Sequence, residues 1–171
     1  MRYTFLLFSL FLLFLIACSE TYAQAPQLNF KHLTAEQGLS NSTIETIFQD
    51  SRGFMWFGTR DGLNRYDGSQ IIVYRYHAAD STSITDNYIK SIVEDKEGFI
   101  WIGTLNGLNR YDRNKNSFTR FQHIPGTRNS LGSNHISSLM IDKAGQLWVG
   151  TYGGGISIYN PKSKTFAPWR I

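Results

Sequence analysis

The chain has 171 residues, of which 42% are hydrophobic and 15% aromatic, so it is long and apolar enough to bury a core. Its 17 basic and 13 acidic side chains give a formal net charge of +4, and the basic ones are scattered along the sequence. This pattern lacks the clustered basic stripe of nucleic-acid-binding proteins, so no nucleic acid partner is expected.

An N-terminal export signal is the first predicted element. Arg2 is the only charge before an apolar run from Phe5 to Ala17. This run is shorter than the about 20 residues that a membrane-spanning helix needs, and it is typical of a secretory signal peptide. We therefore expect a periplasmic protein. Because no second apolar run follows, we expect no membrane span in the mature chain.

Two processing routes fit this signal. In the first, residues 1–23 are the signal peptide and the mature chain begins at Gln24. In the second, residues 1–17 are removed as a lipoprotein signal and Cys18 carries a lipid anchor, since Leu15-Ile16-Ala17-Cys18 resembles a lipobox. Cys18 is the only cysteine of the sequence, so neither route allows a disulfide within one chain.

Three similar units dominate the rest of the sequence. Their tryptophans, Trp56, Trp101 and Trp148, lie 45 and then 47 positions apart within a shared Asp-x-x-Gly-x-x-Trp-x-Gly-Thr pattern. The third copy has one extra residue, in Gly153-Gly154-Gly155. Units of about 45 residues with four short apolar strands are the signature of β-propeller blades. A β-sandwich is the alternative, but it does not require a repeat.

The fold class predicted is therefore all-β, a propeller of about three four-stranded blades that form an incomplete ring. The blades are placed at 41–76, 86–121 and 133–168. An outer strand and lead-in, 28–40, precedes them and has no blade of its own. Because closed rings usually have four to eight blades, we expect either a truncated form of a longer protein or the association of several copies.

Most of the repeated residues are predicted to be structural. A turn is needed once in every blade, whereas a catalytic group is needed once in a site. The repeated aspartates and glycines are therefore interpreted as turn residues and the tryptophans as packing between blades. These residues are Asp50, Gly53, Trp56, Asp95, Gly98, Trp101, Asp142, Gly145 and Trp148.

Residues that differ between the copies are the better candidates for binding. The hairpin after each Gly-Thr pair reads Arg60-Asp61, Leu105-Asn106 and Tyr152-Gly153. Propeller topology puts these tips and the loops 77–87 and 122–134 on one rim, where binding residues commonly lie. The predicted ligand-facing residues are Arg60, Asp61, Asn106 and Tyr152.

No cofactor or metal is expected. The four histidines, at positions 32, 77, 123 and 135, are not spaced as a metal-binding pair. The Gly-rich stretch after Gly150 lacks the Lys-Ser/Thr of a phosphate-binding loop, and a hairpin explains it better.

The repeat resembles the two-component regulator propeller repeat, through Asp-x-x-Gly-x-x-Trp-x-Gly-Thr-x-x-Gly-Leu-x-x-Tyr and the lead-in Gly38-Leu39-Ser40. The resemblance runs from Leu28 to about Phe166. It implies the periplasmic region of a Bacteroidetes-type sensor histidine kinase, which senses oligosaccharides or related ligands and commonly dimerises. The sequence stops at Ile171 without a kinase, so this chain is expected to be a sensor segment and not an enzyme.

Two other functions remain open at this stage. A carbohydrate-active propeller enzyme would need acidic residues that occur in single loops, and Asp61, Asp80 and Asp86 are the candidates. A secreted or lipid-anchored scaffold that binds other proteins is the second alternative, and lipid on Cys18 would favour it.

Overall fold

A computed structural model describes residue 30 and residues 32–169. The predicted signal peptide, both processing sites and Cys18 lie outside these residues. In the described part the regular structure consists of strands and one short 3₁₀ helix, Ala35–Gln37. The strands are β1 Ile44–Gln49, β2 Met55–Thr59, β3 Leu63–Tyr66, β4 Ile71–Tyr74, β5 Ile89–Glu94, β6 Ile100–Thr104, β7 Gly107–Asp112, β8 Ser117–Phe121, β9 Ile136–Ile141, β10 Leu147–Thr151, β11 Gly155–Asn160 and β12 Thr165–Pro168.

These strands form three separate four-stranded antiparallel sheets, which confirms the predicted all-β propeller architecture. The sheet orders are β1-β2-β3-β4, β5-β6-β7-β8 and β9-β10-β11-β12, so each sheet is one up-and-down blade. The first strands of neighbouring blades contact each other, β1 with β5 and β5 with β9. We call the sheets blades 1, 2 and 3, and the two contacts between them the first and second junctions.

The segment before blade 1 differs from a simple outer strand. Residues 28, 29 and 31 lie outside the described residues, and Phe30, His32 and Leu33 carry no strand assignment. The outer strand therefore stays a prediction. After it, Thr34 caps the 3₁₀ helix Ala35–Gln37 by accepting from the Glu36 N–H, and Gly38 ends it with φ of 104°.

Each junction is built around a tryptophan. At the first, Trp56 packs edge-on against Tyr111 of blade 2, with ring centroids 5.4 Å apart. At the second, Trp101 packs in the same way against Tyr159 of blade 3, at 4.8 Å. Burying aromatic side chains of this size contributes on the order of 2–3 kcal/mol each. The packing of each tryptophan on the tyrosine of the next blade therefore stabilises the stacking of the blades side by side.

The glycines of the first two Gly-Thr pairs allow neighbouring blades to approach closely. A Cβ atom on Gly58 would lie 2.6 Å from Cγ2 of Ile89, and one on Gly103 would lie 2.5 Å from Cγ2 of Ile136. These separations are far below van der Waals contact. The repeated glycine is thus required by the isoleucine that opens the next blade.

A buried polar network ties each lead-in to its blade. Ser40 donates its N–H to Oδ1 of Asn64 at 2.8 Å, and its hydroxyl lies 2.8 Å from that of Thr59. The same contacts recur in blade 2, from Thr85 to Asn109 and Thr104.

Blade 3 keeps one bond of this network, from the Gly132 N–H to the Ser157 hydroxyl at 3.4 Å, and adds a close contact between two glycines. A Cβ atom on Gly154 would overlap the carbonyl carbon of Gly132, and one on Gly132 would overlap the carbonyl oxygen of Gly154. Gly154 belongs to the longer hairpin of the third copy. The longer hairpin therefore lies against Gly132, which stands at the position that Ser40 and Thr85 hold in the other blades.

The outer face of blade 3 is less covered than the faces at the junctions. Trp148 is half-buried, whereas Trp56 and Trp101 are 0% and 2% exposed. Its ring packs against Trp169 at 5.9 Å, and Met140 beside it is 53% exposed. Trp169, which breaks the repeat in the sequence, thus covers part of an otherwise open apolar face.

Candidate ligand-binding rim

The antiparallel order of the strands separates two rims. The β2–β3, β6–β7 and β10–β11 hairpins lie on the same rim as the loops that connect one blade to the next, and we call it the tip rim. The Asp-x-x-Gly turns lie at the opposite ends of the strands, on what we call the turn rim. Backbone hydrogen bonds join tips to connecting loops, from the Gly62 N–H to the Asn87 carbonyl and from the Gly107 N–H to the Asn134 carbonyl.

Arg60, the first predicted ligand-facing residue, lies in an ionic cluster that crosses the first junction. Its Nε donates to Glu45 at 2.8 Å, and Lys90 of blade 2 donates to the other oxygen of Glu45 at 2.9 Å. The hydroxyl of Tyr88 donates to Glu45 at 2.8 Å. The hydrogen bond from Lys90, followed by those from Arg60 and Tyr88, lowers the pKa of Glu45 to about 2.

A β-bulge sets the position of this cluster. The pairing of the first strand with the second shifts by one residue at Glu45 in blade 1 and at Lys90 in blade 2. The corresponding shift in blade 3 falls at Ser137. Bulges re-aim the side chain of the extra residue. The bulge thus places one residue of each blade at the inner edge of the tip rim, and this residue is different in each blade: Glu45, Lys90 and Ser137.

Asp61 and Asn106 are braced by the strand that ends beside each tip. Arg75 lies 3.1 Å from the Asp61 carboxylate and also donates to its backbone carbonyl. In blade 2 the equivalent position is Gln122, whose Nε2 donates to the Asn106 carbonyl at 3.1 Å. Both tips therefore have a fixed backbone and partly exposed side chains.

Tyr152 is the most exposed of the predicted residues. Its side chain is 75% exposed, and its ring lies 5.3 Å from that of His135. The Tyr152 N–H donates to the His135 carbonyl at 2.8 Å, which fixes the hairpin against the incoming loop. Together the two rings form a partly exposed aromatic surface on the tip rim of blade 3.

On the turn rim, the repeated Asp and Trp form a direct pair in every blade. Oδ1 of Asp50 accepts from the N–H groups of Arg52 and Phe54, and Oδ2 accepts from Nε1 of Trp56 at 2.7 Å. The same tryptophan bond is 2.6 Å for Asp95 with Trp101 and 2.9 Å for Asp142 with Trp148. One carboxylate thus closes the turn and orients the indole.

A buried ion pair joins blades 1 and 2 on the turn rim. Arg113 lies 2.9 Å from Asp50 and 2.8 Å from Glu94, and its side chain is 8% exposed. Glu94 also accepts from the N–H and hydroxyl of Ser51. No feature of the sequence alone singles out Arg113, because its partner belongs to another repeat.

The acidic residues considered for an enzyme act locally in their loops. Oδ1 of Asp80 accepts from the N–H and hydroxyl of Thr82, and Oδ1 of Asp86 accepts from the Tyr88 N–H. Among residues 32–169, no three His, Cys, Asp or Glu side chains gather in a group that could hold a metal ion. The same residues hold no helix with the length and apolarity to cross a membrane.

The model of a protein family, described as Two component regulator propeller, matches residues 38–61, 83–106 and 130–153. Each match contains one lead-in, one turn with its Asp–Trp pair and one tip. The chain contains three two-component regulator propeller repeats. The repeat family named from the sequence is thereby confirmed.

Similar proteins carry this repeat in sensory systems. Over 74 residues the chain is 43% identical to Histidine kinase P4 of Formosa agariphila. It is 34% identical to the solved extracellular domain of the hybrid two component system BT3049 from B. thetaiotaomicron, with a TM-score of 0.75 over 82% of this chain. The extracellular domain of BT4673, from the same organism, is 31% identical with a TM-score of 0.65 over 80% of this chain.

These relatives are much longer than the present chain. The match covers 5% of the kinase, 20% of the BT3049 domain and 19% of the BT4673 domain. The part that the chain shares with these relatives is the propeller repeat.

Proposed function

We propose that this chain is a segment of a periplasmic sensor propeller that recognises an oligosaccharide on its tip rim. The observation that carries the proposal is the combination of a constant scaffold with tips that differ in every blade. Turns, tryptophans and lead-ins repeat, whereas Arg60-Asp61, Leu105-Asn106 and Tyr152-Gly153 do not. Its resemblance to extracellular domains of sensory systems supports the same role.

The chemistry of the tip rim suits a sugar. Tyr152 and His135 offer exposed aromatic surface for the apolar face of a pyranose ring. Arg60, Asp61 and Asn106 offer charged and amide groups for hydroxyls, and their backbones are fixed by hydrogen bonds. A few fixed polar groups beside an apolar surface are typical of a specific ligand site.

We further propose that another propeller blade packs on the outer face of blade 3. In blades 1 and 2 the face that holds the tryptophan is covered by Tyr111 and Tyr159 of the next blade. In blade 3 that face presents Trp148, Met140 and Trp169. The occupant is a blade of the same repeat, from the same polypeptide or from a second copy.

Substitutions on opposite rims test the ligand site. The full chain is screened against a panel of neutral and acidic oligosaccharides, and a sugar that binds is titrated calorimetrically against Tyr152→Ala and Arg60→Ala. We expect each variant to weaken binding at least tenfold. Arg52→Ala, which removes an exposed arginine from the turn rim of the same blade, is the matched control and keeps wild-type affinity. Equal affinity of all three variants, or no binding across the panel, contradicts the proposal.

Cell fractionation tests export and anchoring. The periplasmic proposal predicts the chain in the osmotic-shock fraction. Labelling with radioactive palmitate, compared between wild type and Cys18→Ser, separates a lipid anchor at Cys18 from simple cleavage before Gln24. A chain retained in the cytoplasm contradicts the proposed location.

A further inference from the structure

The two junctions differ on the turn rim at the position of Arg113. Arg113 follows Tyr111 by two residues and reaches back to Asp50 of the preceding blade. Tyr159 is the equivalent of Tyr111. Trp148 pairs with Ile158, so Tyr159 lies opposite Leu147, as Tyr111 lies opposite Ile100. The residue two positions after Tyr159 is Pro161. The second junction therefore has no arginine at the place of Arg113.

Asp95, the equivalent of Asp50 at the second junction, consequently lacks this cationic partner. Its Oδ1 accepts from the N–H groups of Glu97 and Phe99, and Oδ2 accepts from Trp101. Burial raises the pKa of Asp95. At Asp50, burial acts in the same sense, but the Trp56 hydrogen bond and the charge of Arg113 outweigh it and lower the pKa.

The hydroxyl of Tyr159 is a second buried polar group that lacks a hydrogen bond within the described residues. Its counterpart, the Tyr111 hydroxyl, bonds to Tyr74 at 3.0 Å and to Asn116 at 2.8 Å. At the second junction these positions hold Phe121 and Lys164, and Lys164 shares the positive φ of Asn116. Tyr159 is 5% exposed, and its hydroxyl has no hydrogen-bond partner in the described part of the chain.

A cleft of about 300 Å³ joins these two groups. Its wall includes Asp95, Glu97, Trp101, Gln146, Tyr159 and Pro161. It lies where the Arg113 side chain lies at the first junction. The guanidinium of Arg113 at the first junction therefore indicates which chemical group would fit this cleft.

Two cations lie near these groups, Lys96 in the wall of the cleft and Arg110 over the rings of Phe99 and Trp101, and each has another contact. Lys96 crosses over Gly145, and its Nζ donates to the carbonyl of Lys143 at 3.3 Å. The guanidinium of Arg110 lies over the ring of Phe99 at 4.3 Å. Within residues 32–169, neither forms an ion pair with Asp95.

We propose that this cleft binds the guanidinium group of a small ligand, with Asp95 and Tyr159 as its main partners. The carboxylate of Asp95 pairs with the guanidinium, as Asp50 pairs with Arg113 at 2.9 Å, and the Tyr159 hydroxyl accepts one of its N–H groups. Glu97 adds a second negative charge at the mouth of the cleft. The site is distinct from the tip rim, since it lies at the opposite ends of the strands.

Agmatine is the probe for this site, and the nitrogen-15 NMR signal of the Trp101 indole N–H reports on it. Titration of the full chain is expected to shift this signal saturably, while 1-aminobutane, which has an ammonium group, binds at least tenfold more weakly. Asp95→Asn and Tyr159→Phe are each expected to weaken agmatine binding at least tenfold. Tyr159→Phe removes a hydroxyl without a partner and so preserves the fold even if Asp95→Asn does not.

Two further variants make the test specific. Pro161→Arg supplies the guanidinium from the chain itself and is expected to abolish agmatine binding while raising Tm. Asp67→Asn changes a carboxylate of blade 1, outside the cleft, and keeps wild-type binding. Tyr152→Ala on the tip rim also keeps it, which separates this proposal from the oligosaccharide site. No saturable shift with agmatine, or unchanged binding by Pro161→Arg, overturns the proposal.

Discussion

The guanidinium of Arg113 in blade 2 lies 2.9 Å from the carboxylate of Asp50 in blade 1. Their side chains are 8% and 0% exposed. Asp50 also closes its own turn and holds Trp56, so this one carboxylate connects a turn, a core tryptophan and the neighbouring blade. The first junction therefore depends on the pair more than on any surface ion pair.

Loss of this arginine is expected to destabilise the chain strongly. Arg113→Ala leaves Asp50 and Glu94 charged and buried without their cation, which typically costs about 3–5 kcal/mol. Urea unfolding measures the change in the free energy of unfolding. Lys115→Ala, which removes a partner 3.9 Å from Asp112 in an exposed pair, is the control and costs about 0–1 kcal/mol. Similar losses in both variants would contradict the role given to Arg113.

Acid is expected to weaken the first junction through Glu45. The pKa of Glu45 is lowered from 4.5 to about 2 in the folded chain, first by Lys90 and then by Arg60. A lowered folded-state pKa gives stability that is fully present above pH 4.5 and is lost as the pH falls towards 2. Thermal unfolding of Glu45→Gln should therefore show a flatter decline of Tm between these pH values than wild type. Glu36→Gln, an exposed change in the 3₁₀ helix, should follow the wild-type curve.

The three repeated tryptophans are expected to differ in their contribution. Trp56→Phe and Trp101→Phe each remove a hydrogen bond to a carboxylate inside a junction, and we expect a loss of about 2 kcal/mol or more. Trp148→Phe makes the same chemical change on the half-buried outer face and should cost about half as much. Chemical denaturation of the three variants measures the order. Equal losses would show that burial at the junctions does not set the strength of the pair.

The glycine contact in blade 3 gives a further prediction. Gly154→Ala places a methyl group against the backbone of Gly132, and overpacking of this kind costs about 1–3 kcal/mol. Gly68→Ala is the control, since a Cβ atom there meets open space and only its positive φ, which Gly154 does not share, disfavours alanine. We expect the control to lose about 1 kcal/mol and Gly154→Ala to lose clearly more in the same urea experiment. The reverse order would contradict the close approach of the two hairpins.

The architecture could be predicted from the sequence because it is repeated. Asp50, Trp56 and Gly58 recur with fixed offsets, and each answers a local requirement of one blade: a closed turn, an oriented indole, room for the next isoleucine. Contacts that cross a junction could not be predicted in this way. Glu45 meets Lys90, and Arg113 meets Asp50, only after two blades stack, and no offset within one repeat encodes that meeting.

The candidate site shows the same division. The sequence placed Arg60, Asp61, Asn106 and Tyr152 at hairpin tips, and the strand order puts those hairpins on one rim. It did not anticipate the bulge at Glu45 or the ring of His135 beside Tyr152, because both depend on the register of neighbouring strands. Ligand contact by the four residues stays a prediction.

The unlike polar contacts of the two junctions have a consequence for assembly. Near-identical repeats risk joining in the wrong order or exchanging between molecules, since their apolar faces are almost interchangeable. At the first junction the charge of Arg113 lies buried against Asp50 and Glu94, whereas the proline at the matching position of blade 3 brings no charge to the second junction. Stacking blade 2 against a surface without such carboxylates would bury the charge of Arg113 unpaired, so the ion pair disfavours that arrangement.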